Sequence, residues 1–308
     1  MECKSMKSIF ITGIAGMLGS NLAFLLRDKY HVAGVDLHEI AIQNVYGNVF
    51  SALDMELIKE NFIKNKTNIL IHCAALVNVD ECETKPEYAE LINLTLTKNL
   101  VRICKELGIK MIFISTDAVF DGESELLNKE SDTPKPISVY GKTKLHAEEV
   151  VLSVNNNLVV RTNIYGFNYR EKSSFGEWIL NSLISNIELN MFYDIYFSPI
   201  LVNELSDILE QCIESNMAGL YHICSTGSIS KYDIAVAIME EFGLEGSINK
   251  VSMKNYNFKA PRTKNMGLSN EKISEAFGIH IRTPRESVTE FKRLYDNKYY
   301  ERLKGKEL

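Results

Sequence analysis

"SIFITGIAGMLGSNLAFLLRD" (residues 8–28) decides how the whole chain is read. Its first part, "SIFITG" (8–13), predicts a short buried strand, and "MLGSNLAFLLRD" (17–28) predicts an amphipathic helix. Gly13, Gly16 and Gly19 stand at the junction. A tight strand-to-helix turn needs a residue that tolerates positive φ, and a backbone approached by pyrophosphate can carry no Cβ there. The third glycine lets the helix pack against the strand, while the helix's free N–H groups and positive dipole end hold phosphates. A second strand, "HVAGVD" (31–36), ends on Asp36. A carboxylate there accepts both hydroxyls of an adenosine ribose and repels a 2′-phosphate. No Arg follows Asp36 in the next few positions, so of NAD(H) and NADP(H) the pattern leans to NADH.

Outward from this unit, strand and helix alternate. "NILIHCAA" (68–75), "KMIFIS" (110–115) and "NLVVRT" (157–162) predict further strands. Helices are predicted at 55–65, 86–108 and from about 139 to 154. Strands so continuously apolar are covered on both faces. The expected fold is α/β, a doubly wound parallel sheet of Rossmann type with a smaller C-terminal substrate-binding lobe. Residues 1–165 form the dinucleotide-binding domain, with 200–225 returning to it through helix 203–216 and strand "GLYHICS" (219–225). Residues 166–199 and 226–308 form the substrate lobe, with helices near 230–243 and 285–303.

The 308 residues carry a net charge of −6 with basic residues scattered, which argues against a nucleic-acid partner. No apolar run approaches the length of a membrane span and Met1–Lys7 lacks a signal-peptide core, so a cytoplasmic protein is expected. Six cysteines show no CxxC pair, and six histidines show no ligand spacing. No metal site is expected.

"FISTDAVFDGESELLNKESDTPKPISVYGKTKLHAEE" (113–149) is a long polar loop between a strand and a helix. The helix opens on Tyr140 and Lys144, which at i and i+4 share one face with Cβ atoms about 5–6 Å apart. An unperturbed phenol, with a pKa near 10, is a poor acid or base at neutral pH. A neighbouring ammonium and an oxidised nicotinamide favour the phenolate, so a lowered pKa is expected for Tyr140. It would then protonate a carbonyl oxygen as hydride reaches the carbon, with Lys144 also holding the nicotinamide ribose. Ser115 and Thr116, at the carboxyl end of the preceding strand, supply a hydroxyl to orient that carbonyl.

With these pieces in place, the sequence resembles the extended short-chain dehydrogenase/reductase family, in its dTDP-4-dehydrorhamnose reductase-like branch. The glycine motif stands at Thr12–Gly19, Ser-Thr-Asp-x-Val-Phe-x-Gly at Ser115–Gly122, and Tyr-Gly-Lys-Thr-Lys-Leu at Tyr140–Leu145. The resemblance implies Thr116, Tyr140 and Lys144 as the catalytic set. It implies Gly16, Met17, Leu18, Asp36, Asp54, Met55, Ala75, Leu76 and Val77 along the cofactor, Asp117 on the sugar, and Arg262 on the nucleotide diphosphate. The implied activity is NAD(P)H-dependent reduction of the C4 ketone of a nucleotide-activated 4-keto-6-deoxy sugar. Related sugar-nucleotide dehydratases show Thr-Asp-Glu; here Ala118 replaces the Glu, so the extra proton-transfer group for elimination is missing.

Two departures mark this chain. Rhamnose-forming reductases commonly carry Trp after Arg-Thr-Ser, whereas Arg161-Thr162-Asn163-Ile164 stands here, a branched aliphatic in place of a flat aromatic platform for a hexose ring. Some members dimerise around a metal held by a Glu after the third glycine; Ser20 and Asn21 occupy that place, so the metal is not carried over and a homodimer is left open. Alternatives are a reductase or epimerase of a GDP- or CDP-linked sugar, and a non-catalytic dinucleotide-binding subunit like that of methionine adenosyltransferase. Trp178 is expected to pack one helix face, and "YDNKYYERLKGKEL" (295–308) to be a fraying, solvated helix.

Overall fold

A computed structural model describes residues 6–305. The first half runs β1 (Ser8–Thr12), α1 (Met17–Leu26), β2 (His31–Asp36), β3 (Val45–Val49), α2 (Met55–Lys64), β4 (Ile69–His72), α3 (Val79–Thr84), α4 (Pro86–Glu90), α5 (Leu96–Leu107), β5 (Lys110–Thr116), α6 (Val139–Leu152) and β6 (Leu158–Thr162). The second half runs β7 (Ile164–Tyr165), α7 (Phe175–Ile184), β8 (Leu189–Phe192), β9 (Tyr196–Phe197), β10 (Ile200–Leu201), α8 (Val202–Glu214), β11 (Gly219–His222), β12 (Ile229–Ser230), α9 (Lys231–Glu241), β13 (Ile248–Val251), β14 (Asn265–Met266), α10 (Glu271–Phe277), α11 (Pro284–Asp296) and α12 (Tyr299–Leu303).

Seven parallel strands form the main sheet in the order β11-β6-β5-β4-β1-β2-β3. The apolar runs supply both of its faces. In β1, Ile9 and Ile11 join a cluster with α1 and α8, while Phe10 joins the opposite cluster with α5 and α6. In β6, Leu158 and Val160 take the first side and Val159 the second. From β1 the chain builds outward through β2 and β3, then crosses to β4 and builds the other way. The order therefore reverses between β1 and β4, which opens a crevice beyond their carboxyl ends, the general ligand position of such sheets. A third cluster, centred on Phe167, Phe197 and Phe291, fills the lobe built by α7, α9, α11 and α12.

Several elements differ from expectation for local reasons. The edge strand β3 has no apolar run: Tyr46 and Val49 are exposed, and backbone pairing with β2 holds it. The helix expected at 86–108 is interrupted by a π-helical segment at Leu91–Thr95. The helix expected near 285–303 breaks where Lys298 takes φ 51°, and its last part is docked rather than solvated. Tyr299 and Leu303 are buried in the third cluster, and the Tyr299 hydroxyl donates to Asn21 Oδ1 at 2.8 Å. Asn21 in turn donates to the Phe167 carbonyl at 2.9 Å, so the residue after the glycine turn ties both lobes together. Among the described residues no helix is long and apolar enough to cross a membrane.

Candidate active site

A cleft of about 1020 Å³ opens beyond the carboxyl ends of the main-sheet strands, walled on its far side by the second lobe. Gly13 adopts φ +74°, and a Cβ there would stand 2.9 Å from the Ala74 nitrogen. A Cβ on Gly19 would meet the Gly13 carbonyl oxygen at 2.2 Å, so α1 sits this close to the turn only because both positions lack side chains. The α1 N-terminus has no side-chain cap, with Gly16 at the N-cap position. Its free N–H groups thus face the cleft, which suits a pyrophosphate. Asp36 takes the Ala15 N–H on Oδ2 and the His38 N–H on Oδ1, each at 3.1 Å. These features fit a dinucleotide: Gly13, Gly16, Met17, Leu18 and Gly19 beneath the phosphates, and Asp36 at the ribose end.

Ala75, Leu76 and Val77 also line the cleft, past the end of β4. Asn93, within the π-helical segment, holds them: it accepts the Leu76 N–H at 2.8 Å and donates to the Leu76 carbonyl and to Thr143 Oγ1 on α6. The π turn thereby joins the cofactor wall to the helix that bears Tyr140. Asp54 and Met55 lie elsewhere. Asp54 caps α2, accepting the Leu57 N–H at 3.1 Å, and Met55 packs beside the α5–α6 cluster. The cleft wall is the stretch immediately before them, Phe50, Ser51, Ala52 and Leu53. A carboxylate at a helix start and one at a ligand wall look alike in sequence, and here the cap uses it.

Thr116, Tyr140 and Lys144 all line this cleft. Ser138 caps α6 by accepting the Gly141 N–H at 3.2 Å, and a Cβ at Gly141 would stand 2.2 Å from the Ala118 carbonyl oxygen. The glycine of Tyr-Gly-Lys thus allows α6 to press against the turn after β5, bringing Tyr140 beside Thr116. The Lys144 ammonium donates to the Ile114 carbonyl at 2.7 Å and lies over the Phe113 ring. Burial pushes its pKa down to about 7, against the opposing pull of Glu148 and Cys73. Burial also pushes the Tyr140 phenol up, while the Thr116 hydroxyl pulls it back. This corrects the expectation of a lowered pKa: without cofactor, desolvation outweighs the Thr116 hydrogen bond, the Asp117 charge adds to the rise, and the Lys144 ammonium is turned to a backbone carbonyl. The phenol thus carries its proton at neutral pH, the form from which a carbonyl reduction starts. Ser115 does not share the orienting role, because its hydroxyl is bonded to Glu148.

The Lys144 shift has a consequence for stability. The unfolded chain keeps that proton to about pH 10.4, whereas the fold releases it near 7. Between these values the unfolded state binds more protons, so stability rises with pH across the window. Thermal unfolding of the apoprotein should show wild type gaining on Lys144→Met, by a few degrees, from about pH 7 to about pH 10. A difference in Tm independent of pH would contradict the buried, largely neutral lysine.

Arg262 lines the cleft opposite α3. One nitrogen, Nη2, donates to Asp80 Oδ2 at 2.7 Å, while buried Nη1 has no partner among the described residues. Asp117 is 3% exposed. It accepts from Asn163 Nδ2 at 2.6 Å and from the Thr116 hydroxyl at 3.1 Å, and burial raises its pKa. Arg170 and Lys231, which line the cleft, and Asn93, which braces its wall, were not singled out in sequence, and Asn163 was noted only as a departure. Arg170 reaches the His38 ring at 2.9 Å and so brings a guanidinium to the ribose end from far along the chain. Trp178, expected to pack, is 43% exposed and borders the cleft.

The glycine turn at a sheet crossover and the Thr-Tyr-Lys cluster at the same carboxyl edge define a dinucleotide-binding protein of the short-chain dehydrogenase/reductase kind. The chain belongs to the family described as RmlD substrate binding domain, whose model matches residues 6–296. It is 32% identical over 288 residues to the spore coat polysaccharide biosynthesis protein SpsK of Bacillus subtilis, covering 93% of this chain and 97% of that protein. It is 30% identical to the methionine adenosyltransferase 2 subunit beta of Xenopus tropicalis, covering 91% and 87% of the two chains. Among solved structures, a dTDP-4-dehydrorhamnose reductase from Clostridium acetobutylicum superposes with a TM-score of 0.81 at 28% identity, covering 94% of this chain and 99% of that one.

Proposed function

We propose that this protein reduces the C4 ketone of a nucleotide-linked 4-keto-6-deoxy sugar. The observation that carries the reading is the convergence of Thr116, Tyr140 and Lys144 on one cleft with the glycine turn. A reduced nicotinamide dinucleotide, when bound, supplies the hydride. Tyr140 holds a proton for the ketone oxygen. With substrate bound, the Thr116 hydroxyl turns its hydrogen bond from Asp117 to that oxygen at the end of β5, and Lys144 holds the ribose beside it. Arg262, fixed by Asp80 with one nitrogen unpartnered, suits the sugar's diphosphate. Asn163 aims the Asp117 carboxylate at the sugar.

The test is to mix purified protein with NADH or NADPH and dTDP-, GDP- or CDP-linked 4-keto-6-deoxy sugars and follow reduced-nicotinamide absorbance. Consumption with at least one nucleotide, lost in Tyr140→Phe, is the expected result. Dinucleotide binding without turnover of any sugar would overturn it. That outcome would favour a non-catalytic subunit, the reading to which the likeness to methionine adenosyltransferase 2 subunit beta lends support.

Cofactor preference follows from the ribose end. Asp36 repels a 2′-phosphate while Arg170 attracts one, and Asp36 stands nearer the turn. Wild type should favour NADH in kcat/KM by about tenfold, and Asp36→Ser should reverse the order. An unchanged NADH-to-NADPH ratio in Asp36→Ser would remove Asp36 from the ribose contact.

A further inference from the structure

His72 is the last residue of β4 and pairs in register with Thr12, the last residue of β1, where the sheet order reverses. It is 1% exposed and stands outside the lining of the cleft. A histidine buried this deeply needs a partner for each ring nitrogen. It has both: Thr12 Oγ1 lies 2.6 Å from Nδ1, and Thr97 Oγ1, on α5, lies 3.1 Å from Nε2. Burial pushes its pKa down to about 3, so the ring is neutral, with one N–H and one lone pair to offer.

The direction of each bond follows from the far end. Thr97 gives its only hydroxyl proton to the Asn93 carbonyl at 2.9 Å, one turn earlier in the π-helical segment. It can therefore only accept from His72, which puts the ring proton on Nε2. Nδ1 is then an acceptor, and the Thr12 hydroxyl donates to it. One directed path results, from Thr12 through His72 and Thr97 to Asn93. At its start, Thr12 immediately precedes Gly13, and the Thr12 carbonyl accepts the Cys73 N–H at 3.1 Å. At its end, Asn93 clasps both backbone groups of Leu76 and donates to Thr143 Oγ1, and Thr143 donates to the Tyr140 carbonyl at 2.9 Å. The path joins the turn that suits a pyrophosphate to the helix that bears the phenol.

We infer that His72 is a positioning residue that sets the alignment between the dinucleotide and Tyr140, acting through Thr12 on the glycine turn and through Thr97 and Asn93 on α6. It touches neither ligand. The part that concerns Tyr140 rests on the functional reading above. An aliphatic side chain would also pack beside the Phe113 ring, 5.6 Å away between centroids, but would leave the two hydroxyls unconnected. The ring is the piece that spans them.

The test uses two variants that each keep half of the path. In His72→Asn the amide oxygen stands where Nδ1 stood and still takes the Thr12 hydroxyl, but nothing reaches Thr97. In His72→Gln the longer amide restores a donor to Thr97 and leaves Thr12 without its acceptor. The readouts are dinucleotide affinity from nicotinamide fluorescence and single-turnover hydride transfer to a nucleotide-linked 4-keto-6-deoxy sugar at saturating dinucleotide. His72→Gln should weaken dinucleotide binding about tenfold and hold the transfer rate within about threefold, and His72→Asn should do the reverse. Thr12→Val and Thr97→Val delete one hydroxyl each with the ring in place. They should reproduce the His72→Gln and His72→Asn patterns respectively, and they decide the matter if a His72 variant does not fold. Losses that fall equally on both readouts, in step with Tm, would show a packing role alone and overturn the inference, as would wild-type values in both variants. No turnover of any ketosugar by wild type would remove the functional reading instead, and the difference in dinucleotide affinity between the variants would still decide for or against His72.

Discussion

Tyr140→Phe should cut kcat for ketone reduction by roughly 10³-fold, within the range that a positioned proton donor supplies, and leave dinucleotide affinity little changed. Phenylalanine keeps the ring that α6 places in the cleft and removes only the O–H, so folding and cofactor binding act as internal controls. The size of the effect follows from the site's polar inventory. Thr116 shares its hydroxyl with Asp117 and the Ala118 N–H, and Lys144 is turned to the Ile114 carbonyl. The phenol is thus the group with a proton to give at the ketone oxygen. Stopped-flow single turnovers separate this loss from slower product release. A kcat within a few fold of wild type would contradict the assignment.

The second large effect concerns stability. Arg161, on β6, makes a bidentate ion pair with Glu148 on α6, and their side chains are only 3% and 2% exposed. Ser115 completes the carboxylate's bonding, and Arg161 continues through His222 to the Asn128 carbonyl in the long loop. Asn128 then pairs with Gly267 beside β14. Arg161→Met should cost about 3–5 kcal/mol, because it strands a buried carboxylate. The fall in Tm should be on the order of 5–15 °C. Replacing Glu148 and Arg161 together by methionine should cost less than the single change, since no buried charge is then left alone. A single variant as stable as wild type would show that the pair is hydrated in solution. The Tyr140 rate should suffer as well, because Glu148 lies one turn beyond Lys144 on the same helix.

This network also explains the long loop after β5. Its polar residues gave no local sign of order, yet Asn128 and Glu130 fasten it to β11 and to the segment before α10. Loops of this length survive in a compact molecule when they serve a site or are pinned at intervals, and this one does both.

What could be read from the chain alone follows a physical division. The parallel sheet was legible because buried strands are written as continuous apolar runs. The glycine turn and the Tyr140–Lys144 pair were legible because their spacing is local and each residue type has few other reasons to stand there. The edge strand β3 was not, since three of its five residues are exposed and backbone pairing alone defines it. Lys231 and Arg170 were not, because each reaches the cleft from another segment, and a lone Lys after a helix cap reads as a solvated charge. Asp54, placed along the cofactor by resemblance, caps α2 in the structure, a use of a carboxylate that sequence does not separate from a place on a ligand wall. The charged C-terminal stretch hid two buried anchors, Tyr299 and Leu303, in a run whose composition suggested none.

The central claim is that this cleft delivers hydride to a sugar ketone at C4. The most direct measurement uses NADH or NADPH deuterated at the transferable C4 position of the nicotinamide, a nucleotide-linked 4-keto-6-deoxy sugar, and NMR of the product. Deuterium bonded to C4 of a new 4-hydroxy sugar, in one-to-one ratio with dinucleotide oxidised, is the predicted result. Dinucleotide bound in the cleft with the ketone unchanged, or a 4-hydroxy sugar without deuterium at C4, would contradict it.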